Sequence, residues 1–357
     1  MLIIDAHEDL AYNVLADGRN YLESAYTTRA IEAGTSIANT NGVCMLGLSE
    51  WLRGNVAVIF ATLTVIPRSR AQVGEPSYEV IEAAYQQAIA QLNIYHQWAS
   101  THPQISMITH QHHLDRALRS WDTPESPSSD QRQIGLVLLI ENADLIRTVD
   151  EVGFWHEQGV RVIGPAWDTN RYTASTNDSG PLTELGRQLL TEMQRFGMIL
   201  DLSHMADEAC LESLERYGGP VIATHANPRR LVPIQRLLSD QVMAGVIARD
   251  GVIGIMPLNW ALVPEWRQKT KANIHVDAVV DAIDIVCQLA GDARHVGIGS
   301  DFDGGQGAET APAEIDTVAD LPVIAEALHE RGYPNEAIED IMGGNWKRVL
   351  SEHLPRQ

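Results

Sequence analysis

Residues 2–9 of the chain read LIIDAHED, an apolar run that ends in a histidine and two acidic residues. The run Leu-Ile-Ile is typical of a buried strand, whereas His7, Glu8 and Asp9 are costly to bury unless they bind something. Apolar, β-branched runs of this kind recur along the 357 residues of the chain, and several also end in imidazole or carboxylate groups. This pattern is the basis of the fold prediction.

Eight such runs predict strands, and most are apolar throughout, as expected for parallel strands that are covered on both faces. The predicted strands are residues 2–8, 56–65, 135–141, 160–166, 198–203, 220–225, 251–257 and 295–301. Helical spacing of apolar residues predicts helices at residues 78–100, 182–196, 206–217, 239–249, 276–290 and 320–331. Alternating strands and helices imply parallel βαβ units, and eight strands indicate a closed (β/α)8 TIM-type barrel of the α/β class. An open doubly wound sheet is the alternative.

Two irregular segments interrupt this pattern. Residues 18–55 contain several glycines and no clear strand, which indicates an insertion after the first strand. Residues 120–133 are polar and rich in proline and serine, which predicts a surface loop. Neither segment has the character of a domain linker, so residues 1–357 are expected to form a single domain.

The composition excludes some classes of partner. The formal net charge is −21, which argues against nucleic acid or an anionic membrane, because both require clustered Lys and Arg. The sequence has no run of about 18 apolar residues and no signal-peptide pattern, so neither a transmembrane helix nor secretion is expected. We therefore predict a cytoplasmic protein.

Imidazole and carboxylate groups end five of the predicted strands. Because active sites of such barrels are built at the carboxyl ends of the strands, these side chains are expected to converge in one pocket. The residues are His7, Asp9, Glu141, His204, His225, Asp301 and Asp303.

The spacing of His7 and Asp9 places both side chains on one face of a strand, where they can bind the same cation. Glu141 has two carboxylate oxygens and can bridge two cations, and His204 and His225 supply nitrogens for the second. Imidazole and carboxylate suit zinc and similar divalent ions. Two cations about 3.5–4 Å apart can clamp and deprotonate a water molecule between them.

Asp301 remains as the proton-transfer group, able to accept a proton from that water and pass it to a leaving amine. Taken singly, each of these residues has a simpler explanation, such as a buried core histidine, a helix cap or a turn former. Together they place several polar groups at the ends of buried strands. Binding of a common cation explains why these groups are buried there. Neither a glycine-rich phosphate loop nor a GxSxG nucleophile motif occurs.

At these residues the sequence resembles the membrane dipeptidase (renal dipeptidase) family of the amidohydrolase superfamily, along nearly the whole chain. The matching segments are DAHEDL at 5–10 (DGHNDL in the family), LIE at 139–141, DLSH at 201–204, THAN at 224–227 (SHSN-type), GIGSDFDG at 297–304 and GNW at 344–346. The resemblance implies a metallo-dipeptidase, often tolerant of a D-residue at the C-terminal side, and it allows a homodimer.

The resemblance also implies roles for individual residues at a binuclear zinc site. Glu141 would bridge the two zinc ions, His7 and Asp9 would complete one, and His204 and His225 the other. Asp301 would be the catalytic acid/base, hydrogen-bonded to a bridging hydroxide.

Arg236 follows His225 by eleven residues, where the family has an arginine that binds the terminal carboxylate of the substrate. A guanidinium suits this task because it pairs bidentately with a carboxylate. Arg229 and Arg230 are rival candidates for the same task.

Two segments depart from the family pattern. Trp167 stands where relatives carry a substrate-contacting histidine; tryptophan can stack on substrate but cannot accept a proton. Residues 257–260, which read PLNW, also differ from the family's aromatic pattern. Trp167 therefore favours an alternative, a binuclear amidohydrolase acting on N-acyl amino acids or another small amide or lactone. A barrel that has lost catalysis is disfavoured because all six chemical positions are present.

Overall fold

The structure is a computed structural model that describes residues 1–72, 74–121, 131–266 and 271–356. The strands are β1 (Ile3–Glu8), β2 (Val56–Thr64), β3 (Ile105–Met107), β4 (Ile134–Glu141), β5 (Val160–Gly164), β6 (Ile199–Asp201), β7 (Val221–Ile222), β8 (Ile253–Ile255) and β9 (Val296–Ile298). The α-helices are α1 (Ala11–Asp17), α2 (Ala25–Glu32), α3 (Ile37–Thr40), α4 (Leu48–Arg53), α5 (Ile81–Thr101), α6 (Gln111–Arg119), α7 (Val152–Glu157), α8 (Glu184–Arg195), α9 (Asp207–Arg216), α10 (Asp240–Ala248), α11 (Asn259–Leu262), α12 (Asp277–Ala290), α13 (Pro322–Arg331), α14 (Asn335–Glu339) and α15 (Asn345–His353).

The strands form one parallel sheet in the order β7-β6-β5-β4-β2-β1-β9-β8. Its two ends meet through a parallel bridge between Ala223 and Ile253. At this seam the Ala223 N–H donates to the Val252 carbonyl at 3.0 Å, and the Gly254 N–H donates to the Ala223 carbonyl at 2.8 Å. The sheet is therefore a closed barrel, which confirms the predicted fold class and makes the open doubly wound alternative wrong.

Each predicted barrel strand and helix has a counterpart, but every barrel strand except β4 is shorter than predicted. The run 220–225, for example, contains only the two-residue strand β7. The strand β3, which pairs with β4 outside the barrel path, was not predicted, because its residues Ile-Ser-Met do not lie within a longer apolar run. The segment 18–55 is the predicted insertion and contains α2, α3 and α4. Most of the predicted loop at 120–133 lies outside the described residues.

Helices begin and end where local side chains and glycines favour it. The Thr183 hydroxyl accepts a hydrogen bond from the Gly186 N–H and so caps the start of α8. The helix α12 ends at Gly291, whose φ of 84° is a left-handed conformation that glycine adopts at low cost. Within the described part of the chain, no helix combines the length and the apolar character needed to cross a membrane.

The inward faces of the strands change from apolar to polar toward the mouth of the barrel. In β4, Val137 and Leu139 lie in the buried apolar cluster, and Glu141 follows on the same face because side chains alternate along a strand. In β2, Val58 and Phe60 lie in this cluster, and Thr62 and Thr64 follow. Polar groups therefore accumulate at the carboxyl ends of the strands.

Two glycines allow close packing at the seam. A Cβ atom at Gly254 would lie 1.8 Å from the Thr224 carbonyl oxygen, and one at Gly299 would lie 1.7 Å from the same atom. Any side chain at either position would push β8 or β9 away from the residue that precedes His225. The glycines thus fix the approach of three neighbouring segments at the mouth.

Candidate metal centre

A cavity of about 580 Å³ opens at the carboxyl ends of the strands. Its walls include Asp9, Glu141, His204 and Asp301, which are four of the six residues predicted to form the metal centre and transfer protons. The predicted substrate-contacting residues Trp167 and Arg236 line the same cavity.

Glu141 lies at the centre of this site. Its Oε1 atom is 3.4 Å from His7 Nε2, 3.1 Å from His204 Nε2 and 3.4 Å from His225 Nε2. The ligand atoms of Glu141, His204 and His225 all lie within 4.8 Å of one another, and so do those of His7, Asp9 and Asp301. The structure therefore brings together the five predicted metal ligands and Asp301.

The donor set fits divalent cations. His7 Nε2 is buried and has no hydrogen-bond partner among the residues that the structure describes, although it faces Glu141 and, at 3.8 Å, Asp9 Oδ2. His204 Nε2 and His225 Nε2 lie only 2.9 Å apart, so two ring nitrogens also face one point. Buried polar atoms without a partner are rare, and imidazole nitrogens beside carboxylates are typical zinc ligands. The side chains at this site are therefore of the types that bind divalent cations such as zinc.

The pKa values of Glu141 and His204 support the same conclusion, whereas Glu141 and Asp9 outweigh burial and raise the pKa of His7 to about 10. Burial opposes ionisation of Glu141, but His7 and hydrogen bonds from the surrounding histidines hold the pKa of Glu141 well below its usual range. Burial lowers the pKa of His204 to about 4, and Arg236 contributes to this shift. A charged carboxylate and a neutral imidazole are the forms that bind a metal ion.

Two threonines of β2 orient Asp9. The Thr62 hydroxyl donates to Asp9 Oδ1 at 2.5 Å, and the Thr64 hydroxyl lies 2.9 Å from the same oxygen. Because these contacts occupy Oδ1, Oδ2 is the oxygen that faces His7. Neither threonine was predicted as a site residue, although their alternate positions near the end of a predicted strand were a usable signal.

A second set of polar contacts lies beneath His7 and His225. The Thr224 hydroxyl donates to Asp201 Oδ2 at 2.5 Å and lies 2.8 Å from His225 Nδ1 and 3.2 Å from His7 Nδ1. Asp201 also receives the Thr224 N–H on Oδ1 at 2.8 Å. Asp201 and Thr224 lie within segments that the sequence analysis quoted, but no role was predicted for either.

Asp301, the predicted proton-transfer residue, lies beside His7 and Asp9. It is buried, with a left-handed φ of 57°, a strained conformation that is typical of functional sites. Burial raises the pKa of Asp301 to about 8; His7 opposes this shift, and Asp9 adds to it. A group that titrates near neutral pH can both accept and return a proton.

The membrane dipeptidase family, described as "Membrane dipeptidase (Peptidase family M19)", matches residues 1–355. The chain belongs to this family. It is therefore a member of a family of metallo-dipeptidases, hydrolases that act on peptide bonds and use divalent metal ions. The predicted family resemblance and enzyme class are confirmed.

Curated relatives of this membrane dipeptidase family member include dipeptidase tcpJ of Claviceps purpurea, which is 34% identical over 206 residues, 56% of this chain and 46% of that protein. Dipeptidase 3 of Rattus norvegicus is 24% identical over 275 residues, 74% of this chain and 51% of the relative. The chain thus spans about half the length of these two dipeptidases.

Solved structures of similar fold cover almost the whole chain. The probable dipeptidase PvdM from Pseudomonas aeruginosa has a TM-score of 0.79 at 20% identity, covering 100% of this chain and 96% of its own. A metallo peptidase from Rhodobacter sphaeroides, liganded with a phosphinate mimic of the dipeptide L-Ala-D-Ala, has a TM-score of 0.78 at 22% identity and 99% coverage of both chains. At these identities the likeness establishes the fold.

Among the candidate arginines of this family member, Arg236 lies at the cavity. Its Nη1 and Nη2 each donate to the His225 carbonyl at 3.2 Å, and its Nη2 is 3.1 Å from His204 Nε2. Its rivals Arg229 and Arg230 are engaged in ion pairs with Asp207 and Asp240.

Aromatic and amide groups complete the wall of the cavity. The Trp167 ring centroid is 6.3 Å from that of His204, so the indole lies beside the cluster. Across the cavity the Trp260 Nε1–H donates to Gln306 Oε1 at 2.7 Å, and Gln306 Nε2 donates to Asp301 Oδ2 at 3.1 Å. Gln306 carried no signal in the sequence, because its contact with Trp260 joins a loop to the short helix α11.

Proposed function

We propose that the chain is a zinc-dependent dipeptidase in which residues 1–357 form a single catalytic domain. One observation carries the proposal: a single oxygen of Glu141 lies within 3.4 Å of three imidazole nitrogens, at the mouth of the barrel. Glu141 would bridge two zinc ions. His7 and Asp9 would hold one, and His204 and His225 the other.

Two divalent cations at this site would supply Lewis acidity and an activated water molecule. The residues of the chain do the rest. Asp301 accepts the proton of the attacking water and returns it to the leaving nitrogen, which its buried position and its pKa of about 8 favour. Gln306 holds one oxygen of Asp301 through the 3.1 Å hydrogen bond.

The substrate class follows from the charged wall of the cavity. Arg236 presents a guanidinium beside the metal ligands, where it can pair with the terminal carboxylate of a dipeptide. Trp167 offers a flat surface on which a substrate side chain can stack. The metallo peptidase from Rhodobacter sphaeroides is liganded with a phosphinate mimic of the dipeptide L-Ala-D-Ala, which supports substrates of the type L-Xaa-D-Xaa.

A second candidate keeps the metals and changes the substrate to N-acyl amino acids or another small amide or lactone. Trp167 favours it, because an indole stands beside His204 at a position where the family resemblance implies a histidine. A cytoplasmic location and a homodimer stay predictions.

A substrate panel tests the proposal. The zinc-loaded protein is incubated with L,L-dipeptides, L,D-dipeptides and N-acyl amino acids, and the released amino acids are quantified. We expect cleavage of dipeptides, loss of activity after exhaustive chelation, and recovery when zinc is returned. Turnover of acyl compounds alone would refute the dipeptidase assignment, and full activity after chelation would refute the metal mechanism.

A further inference from the structure

We propose that the single hydroxyl of Thr224 holds one histidine ligand of each cation in the tautomer that binds metal. The proposal rests on the two-cation site described above, but not on the identity of its substrate. Thr224 is fully buried, and its Oγ1 atom contacts Asp201 Oδ2, His225 Nδ1 and His7 Nδ1 at 2.5, 2.8 and 3.2 Å.

Asp201 determines where the hydroxyl proton points. The other carboxylate oxygen, Oδ1, accepts hydrogen bonds from the Ser203 N–H at 3.0 Å, the Ser203 hydroxyl at 2.8 Å and the Thr224 N–H at 2.8 Å. Three donors on Oδ1 leave Oδ2 as the oxygen that accepts the Thr224 hydroxyl. The 2.5 Å contact between Asp201 Oδ2 and Thr224 Oγ1 therefore requires the threonine proton.

The two histidines must then donate to the threonine. A hydroxyl has one proton and two lone pairs, so Thr224 Oγ1 can accept from two ring nitrogens once its proton is given to Asp201. His7 and His225 consequently carry their protons on Nδ1. Their Nε2 atoms, each 3.4 Å from Glu141 Oε1, keep free lone pairs directed at the metal centre.

This arrangement joins the two cation positions through one side chain. His7 is the proposed ligand of one cation and His225 of the other, and the two rings lie 3.6 Å apart above the same hydroxyl. A group that fixes the tautomer and orientation of a histidine ligand typically contributes 10–100-fold to metal affinity. Loss of Thr224 should therefore weaken both positions rather than one.

Metal binding by matched variants tests the proposal without any substrate. Thr224→Val keeps the shape of the side chain and removes the hydroxyl, whereas Thr224→Ser keeps the hydroxyl. Zinc is titrated against a competing chelator, and bound zinc is measured by elemental analysis. We expect about 10–100-fold weaker binding at both positions for Thr224→Val and nearly unchanged binding for Thr224→Ser. Unchanged affinity of the valine variant, or weakening at one position alone, overturns the proposal.

A spectroscopic measurement on the wild-type protein keeps the proposal testable if the valine variant fails to fold. In zinc-loaded protein labelled with ¹⁵N-histidine, two-bond nitrogen–proton couplings show which ring nitrogen carries the proton. Signals are assigned with His7→Gln and His225→Gln. We expect a protonated Nδ1 in both residues. A protonated Nε2 or a zinc-bound Nδ1 in either residue overturns the assignment.

Discussion

Adding one methyl group at Gly304 tests the geometry of the metal centre. A Cβ atom at this position would lie 2.4 Å from Asp301 Oδ1 and 2.7 Å from Asp9 Oδ2. Since real Cβ contacts essentially never fall below 3.0 Å, the Asp301 carboxylate must move by about 0.6 Å in Gly304→Ala. The backbone of Gly304 lies outside the left-handed region, so the substitution adds steric pressure without backbone strain.

The displacement should reduce catalysis far more than stability. A misplacement of about 1 Å costs on the order of 100-fold in rate, so we expect kcat/KM for a dipeptide to fall about 10–100-fold in Gly304→Ala. This loss corresponds to about 1.4–2.7 kcal/mol of transition-state stabilisation. Steady-state kinetics, thermal unfolding and zinc analysis are measured on the same preparations.

The neighbouring Gly305→Ala is the matched control. Among the described residues, no atom outside the adjoining chain lies within 4 Å of a Cβ at this position, but its φ of 77° makes alanine unfavourable by about 1–2 kcal/mol. The control should therefore lose stability and keep its kcat/KM, the opposite of Gly304→Ala. Wild-type kcat/KM in Gly304→Ala would refute the close approach of Asp301 and Asp9.

Four further substitutions have distinct expected outcomes. Asp301→Asn should abolish turnover with about two zinc ions per chain retained, and turnover close to wild type would contradict its role. Glu141→Ala should lower metal occupancy at both positions, and two full equivalents by elemental analysis would count against bridging. Arg236→Ala should raise KM about tenfold for dipeptides but not for their C-terminal amides, as measured by paired kinetics. Gln306→Ala should lower kcat about tenfold with KM little changed, because its amide holds Asp301; an unchanged kcat would argue otherwise.

The barrel and the convergence of the predicted ligands could be predicted from the sequence. Both follow from the spacing of apolar residues and from the position of polar residues at the ends of the strands. Parallel strands read as apolar runs, and their carboxyl ends share one side of the sheet, so the residues that end those runs must meet. Glu141 and His225, which are far apart in the chain, were placed together by this reasoning alone. The insertion at 18–55 could be identified by the lack of a strand pattern, but its helices could not.

The residues that orient the ligands could not be predicted in the same way. Hydroxyl groups such as that of Thr224 are common in strands, so their residue type carries no signal until their partners are known. The contact between Trp260 and Gln306 depends on the placement of the short helix α11 and of a loop, which the spacing of apolar residues does not encode. The strand β3 was missed because its three residues, unlike those of the equally short strands β6, β8 and β9, lie outside any longer apolar run.

The glycines at the seam have a consequence for how the catalytic site can evolve. Gly254 and Gly299 press against the carbonyl of Thr224, the residue next to His225. The seam that closes the barrel therefore also sets the position of His225 relative to the neighbouring strands. The packing at the seam and the position of His225 cannot be varied independently. Sequence change that alters substrate preference should accumulate in the loops around Trp167 and Trp260, while the seam itself remains fixed.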